Sequence, residues 1–472
     1  MFPEAFINRI KSQEYIDAGP FLEALGRPSP VSIRINRAKW NGKPLNAEPV
    51  PWCSTGFYID RRPSFTLDPL FHSGCYYPQE ASGMFIEEAL RQLTGLPHRI
   101  RVLDLCAAPG GKTTHLSSVI SQDSLLVSNE TIRSRASVLE ENVIRWGLSN
   151  TIVTRNDPSA FARLPGFFDV IVVDAPCSGE GMFSNPAAVH EWSPENAALS
   201  SDRQKRILSN AWPSLKENGI LIYCTCTFNP AENEHNIKWL TEQFGAESFR
   251  LDVSAYPGIT EIRYRGITGY GFYPDRLKGE GFFLSVVRKR GPVSEEESVH
   301  KATGRRELRS TIREDAKISA KLTTFPEDRI LRISNELVCI PCTYDEFIVL
   351  SEKLRIVRPG VRTGRIVGRE YLPGHELAVN TGLRNAAFPA SDLDITQALA
   401  YLRREPFKVT EEIAGLFIAR YEKVNLGFAR HIGTRINNYF PVGLRIRMDI
   451  PPDASDQIIR WEAGRADLSA PP

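Results

Sequence analysis

The sequence is short of net charge and of long apolar runs. Its 58 Lys and Arg residues nearly balance 56 Asp and Glu residues, for a formal net charge of +2, so bulk charge neither requires nor excludes a nucleic-acid partner. No stretch approaches the roughly eighteen apolar residues of a membrane span, and charges run through the N-terminal segment MFPEAFINRIKSQEY, unlike a signal peptide. We therefore expect a cytoplasmic protein with no membrane partner.

The cysteines lack the spacing of a disulfide framework. Eight are scattered over 472 residues, which is typical of free thiols in a reducing compartment. Cys339 and Cys342 form a CxxC pair, but no second ligand pair at a zinc-site spacing is evident. We interpret this pair as structural and expect no metal.

Internal repeats are also absent, and the length predicts about three domains. Residues 1–75 begin with a helical apolar pattern and continue into an alternating strand, VSIRINRAK, which predicts an α+β extension. A charged linker, RGPVSEEESVHKATGRRE, follows a second segment, residues 76–290. Two smaller units are predicted at 310–385 and 390–455, and the Pro-rich end from residue 449 suggests a frayed terminus.

The segment 76–290 alternates apolar strands with amphipathic helices such as RSRASVLEENVIRWG. This alternation predicts an α/β fold with a parallel, doubly wound sheet. The predicted strands are RVLDLC, SLLVSNE, TIVTRND, FDVIVVDAP, GILIYCTCT and GFFLSVVRK.

The turn in RVLDLCAAPGGKTTHL lacks both common phosphate-binding patterns. Cys106 occupies the first glycine position of a P-loop, and the Gly-x-Gly-x-x-Gly fingerprint is missing. A strand, a Pro-Gly-Gly turn and a helix start nevertheless allow close approach of a ligand. The pattern fits S-adenosylmethionine, a cofactor with a carboxylate and a ribose but no phosphate.

Acids follow successive predicted strands. Glu130 ends the second strand, twenty-six residues after Asp104, near the spacing at which an acid meets ribose hydroxyls in Rossmann-like folds. Asp157 and Asp174 follow the third and fourth strands. Glu130 alone could equally be an exposed strand-end charge, but several acids at one sheet edge favour a binding site.

Three of the eight cysteines also lie at strand ends. Cys177 follows VIVVDAP, and Cys224 and Cys226 follow GILIY. A lone buried cysteine more often packs as a small hydrophobe. Because side chains alternate along a strand, Cys224 should point away from Cys226 and pack as a structural thiol.

DLCAAPGGKT, VSNE, VVDAPCSGEGMF and YCTCTFNPAENE, in this order, resemble the Nop/Sun family of RNA (cytosine-5) methyltransferases. The resemblance covers roughly residues 20–290. The tail, with GHELAV and LGFARHIGTRINNYFPVGLRI, is similar to the PUA-like RNA-binding extension of bacterial ribosomal RNA enzymes of the RsmF type. Asp275 stands where this family commonly has His.

The resemblance implies a Rossmann-like methyltransferase sheet and a set of site residues. Cys226 would attack carbon 6 of cytosine, Cys177 would assist release, Asp174 would stabilise the ring at nitrogen 3, and Lys112 would face the base or steady the thiolate. DNA cytosine-5 methyltransferases attack instead from the Pro-Cys cysteine, and chemistry alone does not choose. The implied S-adenosylmethionine-binding residues are Cys106, Ala107, Ala108, Pro109, Gly110, Gly111, Lys112, Glu130, Asp157 and Asp174.

An RNA partner is also indicated by arginines interleaved with apolar and aromatic residues. They are Arg355, Arg358, Arg362, Arg365, Arg369, Arg430, Arg435, Arg445 and Arg447. We expect a monomeric enzyme methylating carbon 5 of cytosine in small-subunit ribosomal RNA, free or in the ribosomal subunit. Two alternatives remain: a transfer RNA cytosine-5 methyltransferase, and a noncatalytic RNA-binding protein of the same fold.

Overall fold

The structure is a computed structural model. It describes residues 2–93, 96, 98–291, 313–368, 370–409 and 413–462, without the side chains of 313 and 314. The predicted linker lies outside the described residues beyond Gly291, as do Arg369 and residues 463–472.

The N-terminal unit contains a small antiparallel sheet of order β2-β3-β1-β4 with one short helix packed on it, whereas its first two helices pack against Phe183 and Phe228 of the central unit. Its first helix buries Phe6 and Ile10, four residues apart and therefore on one face. The elements are α1 (Glu4–Lys11), α2 (Ala18–Leu25), β1 (Val31–Ile35), β2 (Glu48–Pro49), β3 (Gly56–Ile59), α3 (Pro69–His72) and β4 (Tyr76–Pro78).

The central unit is a large twisted sheet with helices on both faces. Its helices are α4 (Ile86–Arg91), α5 (Gly111–Val119), α6 (Arg133–Trp146), α7 (Pro186–Glu191), α8 (Pro194–Ala211) and α9 (Glu234–Phe244). Its strands are β5 (Arg101–Asp104), β6 (Leu125–Asn129), β7 (Thr151–Thr154), β8 (Phe168–Asp174), β9 (Leu215–Thr225), β10 (Glu247–Phe249), β11 (Thr260–Tyr264), β12 (Ile267–Phe272) and β13 (Phe282–Arg288).

The doubly wound sheet predicted from sequence is confirmed. Strands β7, β6, β5, β8 and β9 are adjacent and parallel, and β13 adds antiparallel to β9. Helices cover both faces of these strands, so their apolar runs are buried on both sides, as parallel sheets require. Their carboxyl ends therefore meet along one edge.

Two smaller sheets follow, of order β14-β15-β17-β18 and β19-β20-β21-β22. The four predicted domain boundaries stay predictions. The elements are α10 (Arg313–Leu322), β14 (Ile330–Ile333), β15 (Glu336–Cys339), α11 (Tyr344–Lys353), β16 (Ile356–Arg358), β17 (Val361–Val367), β18 (Glu370–Pro373), α12 (His375–Val379), β19 (Ala390–Leu393), α13 (Ile395–Arg403), β20 (Gly415–Tyr421), β21 (Val424–Ile432) and β22 (Arg435–Asn438).

Strand β16 belongs to the central sheet, although it lies far along the chain. It pairs antiparallel with β7 and so covers the outer edge of the parallel strands. Arg358 at its end is fully buried, and its guanidinium donates to Glu376 (2.6 Å) and to the Thr151 carbonyl (2.8 Å). Our assignment of Arg358 to an RNA surface is therefore wrong, because it holds two units of the protein together.

The frayed terminus predicted from residue 449 is wrong for the part that the structure describes. Ser64 donates its backbone N–H to the Gln457 carbonyl (2.8 Å), and Trp461 packs edge-on against Trp40 with ring centroids 5.6 Å apart. These contacts fix residues 457–461 on the N-terminal unit. Among the described residues, no helix combines the length and the apolar character needed to cross a membrane.

Candidate active site

The loop of residues 106–111 leaves β5 and enters α5 at the carboxyl edge of the sheet. Ala107 donates its N–H to the Asn129 carbonyl (2.8 Å), and Arg135 and Asn142 donate to the carbonyls of Ala108 and Pro109. Gly110 has a φ of 115°, a backbone conformation that is unfavourable for residues with a side chain and accessible to glycine. These hydrogen bonds therefore fix the loop against β6 and α6, and the N-terminus of α5 lies beside it.

Two buried acids flank this loop. Asp104 accepts a hydrogen bond from Thr113 at one carboxylate oxygen (2.6 Å), and its Oδ1 has no partner among the described residues. Burial raises the pKa of Asp104 to about 7. Glu130, 4% exposed, accepts the N–H of Ile132 (2.9 Å) and lies 3.5 Å from the Arg135 guanidinium. Both acids can accept further hydrogen bonds from a ligand.

Asp157 has a different environment. Its exposed carboxylate accepts both the hydroxyl and the N–H of Ser159 (2.6 and 3.0 Å), capping the short helical turn Pro158–Arg163. The Ser159 hydroxyl, together with that N–H, lowers the pKa of Asp157. The residue follows β7 as predicted, and its cofactor role stays a prediction.

Lys112 and Asp174 form an ion pair at the same edge. The ammonium lies in the first turn of α5, 2.7 Å from the carboxylate that ends β8, and 5.1 Å from the centre of the Phe282 ring. Burial alone would lower the pKa of Lys112, but the charge and hydrogen bond of Asp174, together with the neighbouring Cys224 and Cys226, outweigh it and the net shift is upward. The site therefore holds a fixed cation next to a carboxylate.

The structure brings Cys177 and Cys226 together. Parallel pairing places Asp174 opposite Cys224, so the loops after β8 and β9 leave the sheet side by side. The Sγ atoms of Cys177 and Cys226 lie 3.2 Å apart. The contact with Cys226 and then burial raise the pKa of Cys177 well above its usual range. Cys224 is fully buried in the apolar core, so its predicted packing role is confirmed.

A buried carboxylate that the sequence reasoning missed positions the Cys177 loop. Glu232 accepts the N–H (2.9 Å) and the hydroxyl (2.5 Å) of Ser178, and also the Gln204 amide (3.1 Å). Burial raises the pKa of Glu232. Glu232 lies within YCTCTFNPAENE, but nothing in that pattern shows which of its acids contacts the loop of Cys177.

A second missed acid, Glu180, connects the cysteine loops to α1. It is fully buried and accepts from Arg9 (2.6 Å), from the Trp192 indole (2.9 Å) and from the N–H of Phe228 (3.1 Å). Arg9 also donates to the Phe228 carbonyl (3.2 Å). The N-terminal unit therefore helps to fix the loops that carry both thiols.

Family models match three parts of this chain. The model described as 16S rRNA methyltransferase RsmB/F matches residues 95–288. The N-terminal domain of 16S rRNA methyltransferase RsmF matches residues 2–81, and the methyltransferase RsmF PUA domain matches residues 388–446. The matches therefore include the N-terminal unit, the site-bearing sheet and the last small sheet.

Individual proteins agree with these matches. The ribosomal RNA small subunit methyltransferase F of Aliivibrio fischeri is 32% identical, over 93% of this chain and 96% of its own length. The enzyme of that name from an Enterobacter species is 32% identical, over 93% and 95%. A solved methyltransferase homologue from Pyrococcus horikoshii superposes with a TM-score of 0.52 at 29% identity, over 61% of this chain and 95% of that one.

The site fits the methyl donor of such enzymes. Glu130 would offer carboxylate oxygens to a ribose diol, and Asp104 Oδ1, which has no partner among the described residues, would offer a buried acceptor to a ligand donor. The 106–111 loop lets a ligand approach its backbone closely. This chain therefore belongs to the 16S rRNA methyltransferase RsmB/F family, RNA methyltransferases whose methyl donor is S-adenosylmethionine.

Proposed function

We propose that this protein methylates carbon 5 of a cytosine in 16S ribosomal RNA through a covalent adduct at Cys226. The observation that carries the proposal is the 3.2 Å approach of the Cys177 and Cys226 thiols beside the Lys112–Asp174 ion pair. Carbon 5 of cytosine is a weak nucleophile, and a thiolate added at carbon 6 converts the ring into an enamine. S-adenosylmethionine supplies the electrophilic methyl group.

Each side chain then has a defined task. The Cys226 thiolate bonds to carbon 6, and the electron pair of the 5,6 double bond shifts between carbons 4 and 5 while charge develops on nitrogen 3. The resulting enamine attacks the methyl group from carbon 5. Asp174 and Lys112, 2.7 Å apart, stabilise charge that develops on the ring near nitrogen 3. After methylation the proton on carbon 5 passes to a base or to water, the C–H electron pair re-forms the 5,6 double bond, and the Cys226 thiolate is expelled from carbon 6 with the C–S electron pair. We assign Cys177 to this release step.

The target base must leave any helix to reach the thiols, and a cavity of about 610 Å³ lies beside the catalytic loops. It opens between the N-terminal unit and the segment before β13, and it reaches Gly181, whose N–H binds the Cys226 carbonyl (2.9 Å). Its basic lining residues are Arg27, Arg61, Arg62, Arg276 and Lys278. These cations can bind the phosphates on either side of the extruded base.

The last small sheet supports RNA as the substrate. Arg430, Arg435, Arg445 and Arg447 are exposed on it or just after it, and the first three lie in the region that matches the PUA domain. Relatives named for the ribosomal small subunit favour 16S RNA over transfer RNA. A monomeric state and a cytoplasmic location are part of this proposal.

The test is a methyl-transfer assay with labelled S-adenosylmethionine on purified 16S RNA, small subunits and transfer RNA. Nuclease digestion and mass spectrometry then identify the modified nucleoside. We expect 5-methylcytidine in 16S RNA or in the subunit, and none with Cys226→Ala. Methylation confined to transfer RNA, or a methyl group on another atom, would contradict the proposal. Binding without transfer would instead support the noncatalytic alternative.

A further inference from the structure

Three side chains of metal-ligating types meet near the methyltransferase site but are not among the residues assigned to it. Cys53 lies in the turn between β2 and β3, Glu87 in the first turn of α4, and His115 in the second turn of α5. Cys53 and His115 are 4% and 1% exposed, and Glu87 is half-buried. The proposed reaction uses none of these side chains.

Their donor atoms have separations close to those of a zinc site. Cys53 Sγ lies 3.3 Å from Glu87 Oε2 and 3.7 Å from His115 Nε2, and these nitrogen and oxygen atoms are 2.8 Å apart. Tetrahedral Zn²⁺ with bonds of about 2.0–2.3 Å holds such ligand atoms roughly 3.3–3.6 Å apart. An ion could therefore enter with shifts of about half an ångström.

The surroundings hold the ligands in place. Ser54 donates its N–H to the other Glu87 oxygen (3.1 Å), and Cys53 and its neighbours pack in an apolar cluster with Trp52 and Met84. Buried Arg34 bonds to Thr114, next to His115 (2.6 Å). A cation beside this arginine needs anionic ligands, and a thiolate and a carboxylate together balance the charge of a divalent ion.

We propose that Cys53, Glu87 and His115 bind a structural Zn²⁺ ion, with water as the fourth ligand. Sulfur, imidazole and carboxylate donors suit zinc, whereas Mg²⁺ and Ca²⁺ prefer oxygen alone. Binding releases the Cys53 thiol proton to solvent. The ion ties the N-terminal unit to α5, the helix that carries Lys112 one turn earlier. This departs from the expectation of no metal.

The test starts with the full chain, stripped by a chelator and titrated with Zn²⁺ or Mg²⁺. Elemental analysis should give one zinc per chain after desalting. The midpoint temperature of thermal unfolding should rise by on the order of 5 °C with excess zinc, because a ligand that binds only the folded state stabilises that state. Magnesium should leave the midpoint unchanged. A zinc-independent midpoint with no retained metal would overturn the proposal and leave a hydrogen-bonded triad.

Variants locate the ion. His115→Gln keeps an amide donor for Glu87 and should fold, as circular dichroism checks, yet lose the bound zinc and the thermal shift. Cys342→Ser removes a buried thiol elsewhere and should keep both. In the unmodified chain Co²⁺ should give a thiolate-to-metal absorption band that Cys53→Ser abolishes. Metal loss in Cys342→Ser but not in His115→Gln would overturn the proposal in favour of the CxxC pair.

Discussion

Cys177 and Cys226 are forty-nine residues apart in the chain, yet their Sγ atoms lie 3.2 Å apart. A contact this short puts both thiols within reach of one base, so variants must separate their roles. Cys226→Ala should abolish both methyl transfer and any covalent protein–RNA complex, because no thiolate then reaches carbon 6. The complex is measured as an RNase-sensitive slow band on a denaturing gel.

Cys177→Ala should have the opposite effect on that band. Attack and methyl transfer persist, but release slows, so the covalent complex should accumulate. Cys224→Ala is the matched control, since its thiol is packed in the core and should leave the adduct pattern unchanged. An adduct that survives in Cys226→Ala and vanishes in Cys177→Ala would reverse the assignment.

Glu130→Ala and Asp157→Ala should weaken S-adenosylmethionine binding. Losing hydrogen bonds to a charged acceptor costs on the order of 1.5–3 kcal/mol, or about ten- to a hundred-fold in affinity. Titration calorimetry measures the effect, with Asp202→Ala, an exposed acid on α8, as the control. Unchanged affinity in Glu130→Ala would overturn the cofactor placement.

The exposed arginines of the last small sheet should govern RNA affinity. Arg435→Ala and Arg447→Ala should each weaken RNA binding and reduce the slope of log K against log salt by about 1, because each removes one phosphate contact. Cofactor affinity should not change. Arg250→Ala removes an exposed arginine paired with Glu261 on the central unit and serves as the control. An equal loss in that control would contradict a specific RNA surface.

Arg358→Met should destabilise the protein rather than affect RNA contacts. Removing one partner of a buried ion pair leaves Glu376 with only the more distant Arg362 guanidinium, 3.7 Å away, at a cost of up to about 3–5 kcal/mol. Chemical unfolding measures the loss, and Arg358→Met with Glu376→Met should recover much of it. A fully stable single variant that binds RNA weakly would restore the interpretation that we rejected.

Asp104 should make stability depend on pH. Its pKa is raised by burial to about 7, whereas an unfolded aspartate titrates near 3.9, so between these values only the folded state keeps the proton. The unmodified protein should therefore lose stability relative to Asp104→Asn as pH rises from about 4 to about 7, by up to about 1.4 kcal/mol per pH unit. Urea unfolding at several pH values tests this. A parallel pH dependence for both proteins would contradict the burial argument.

Local signals explain what the sequence could predict. The strands, the 106–111 loop and the cysteines at strand ends each depend on a few adjacent residues, and parallel strands necessarily align their carboxyl ends. Glu180 and Glu232 were missed because their partners are distant in the chain. Arg358 was misassigned because a basic stretch of sequence does not reveal which of its arginines is buried against a distant partner.

The three ligands of the proposed zinc site were not predicted from the sequence for a related reason. Cys53, Glu87 and His115 belong to three elements with no ligand spacing between them. They come together only where the N-terminal unit, α4 and α5 pack against one another.

The pairing of β16 with β7 has a consequence for synthesis on the ribosome. Residues 356–358 emerge about two hundred residues after β7, a delay of roughly 10–40 s at usual translation rates. Until then the nascent chain carries an open strand edge that other chains can pair with. β7 is only four residues long, which limits how much of another chain can pair with this edge. Completion of the catalytic sheet therefore waits for translation of the C-terminal region.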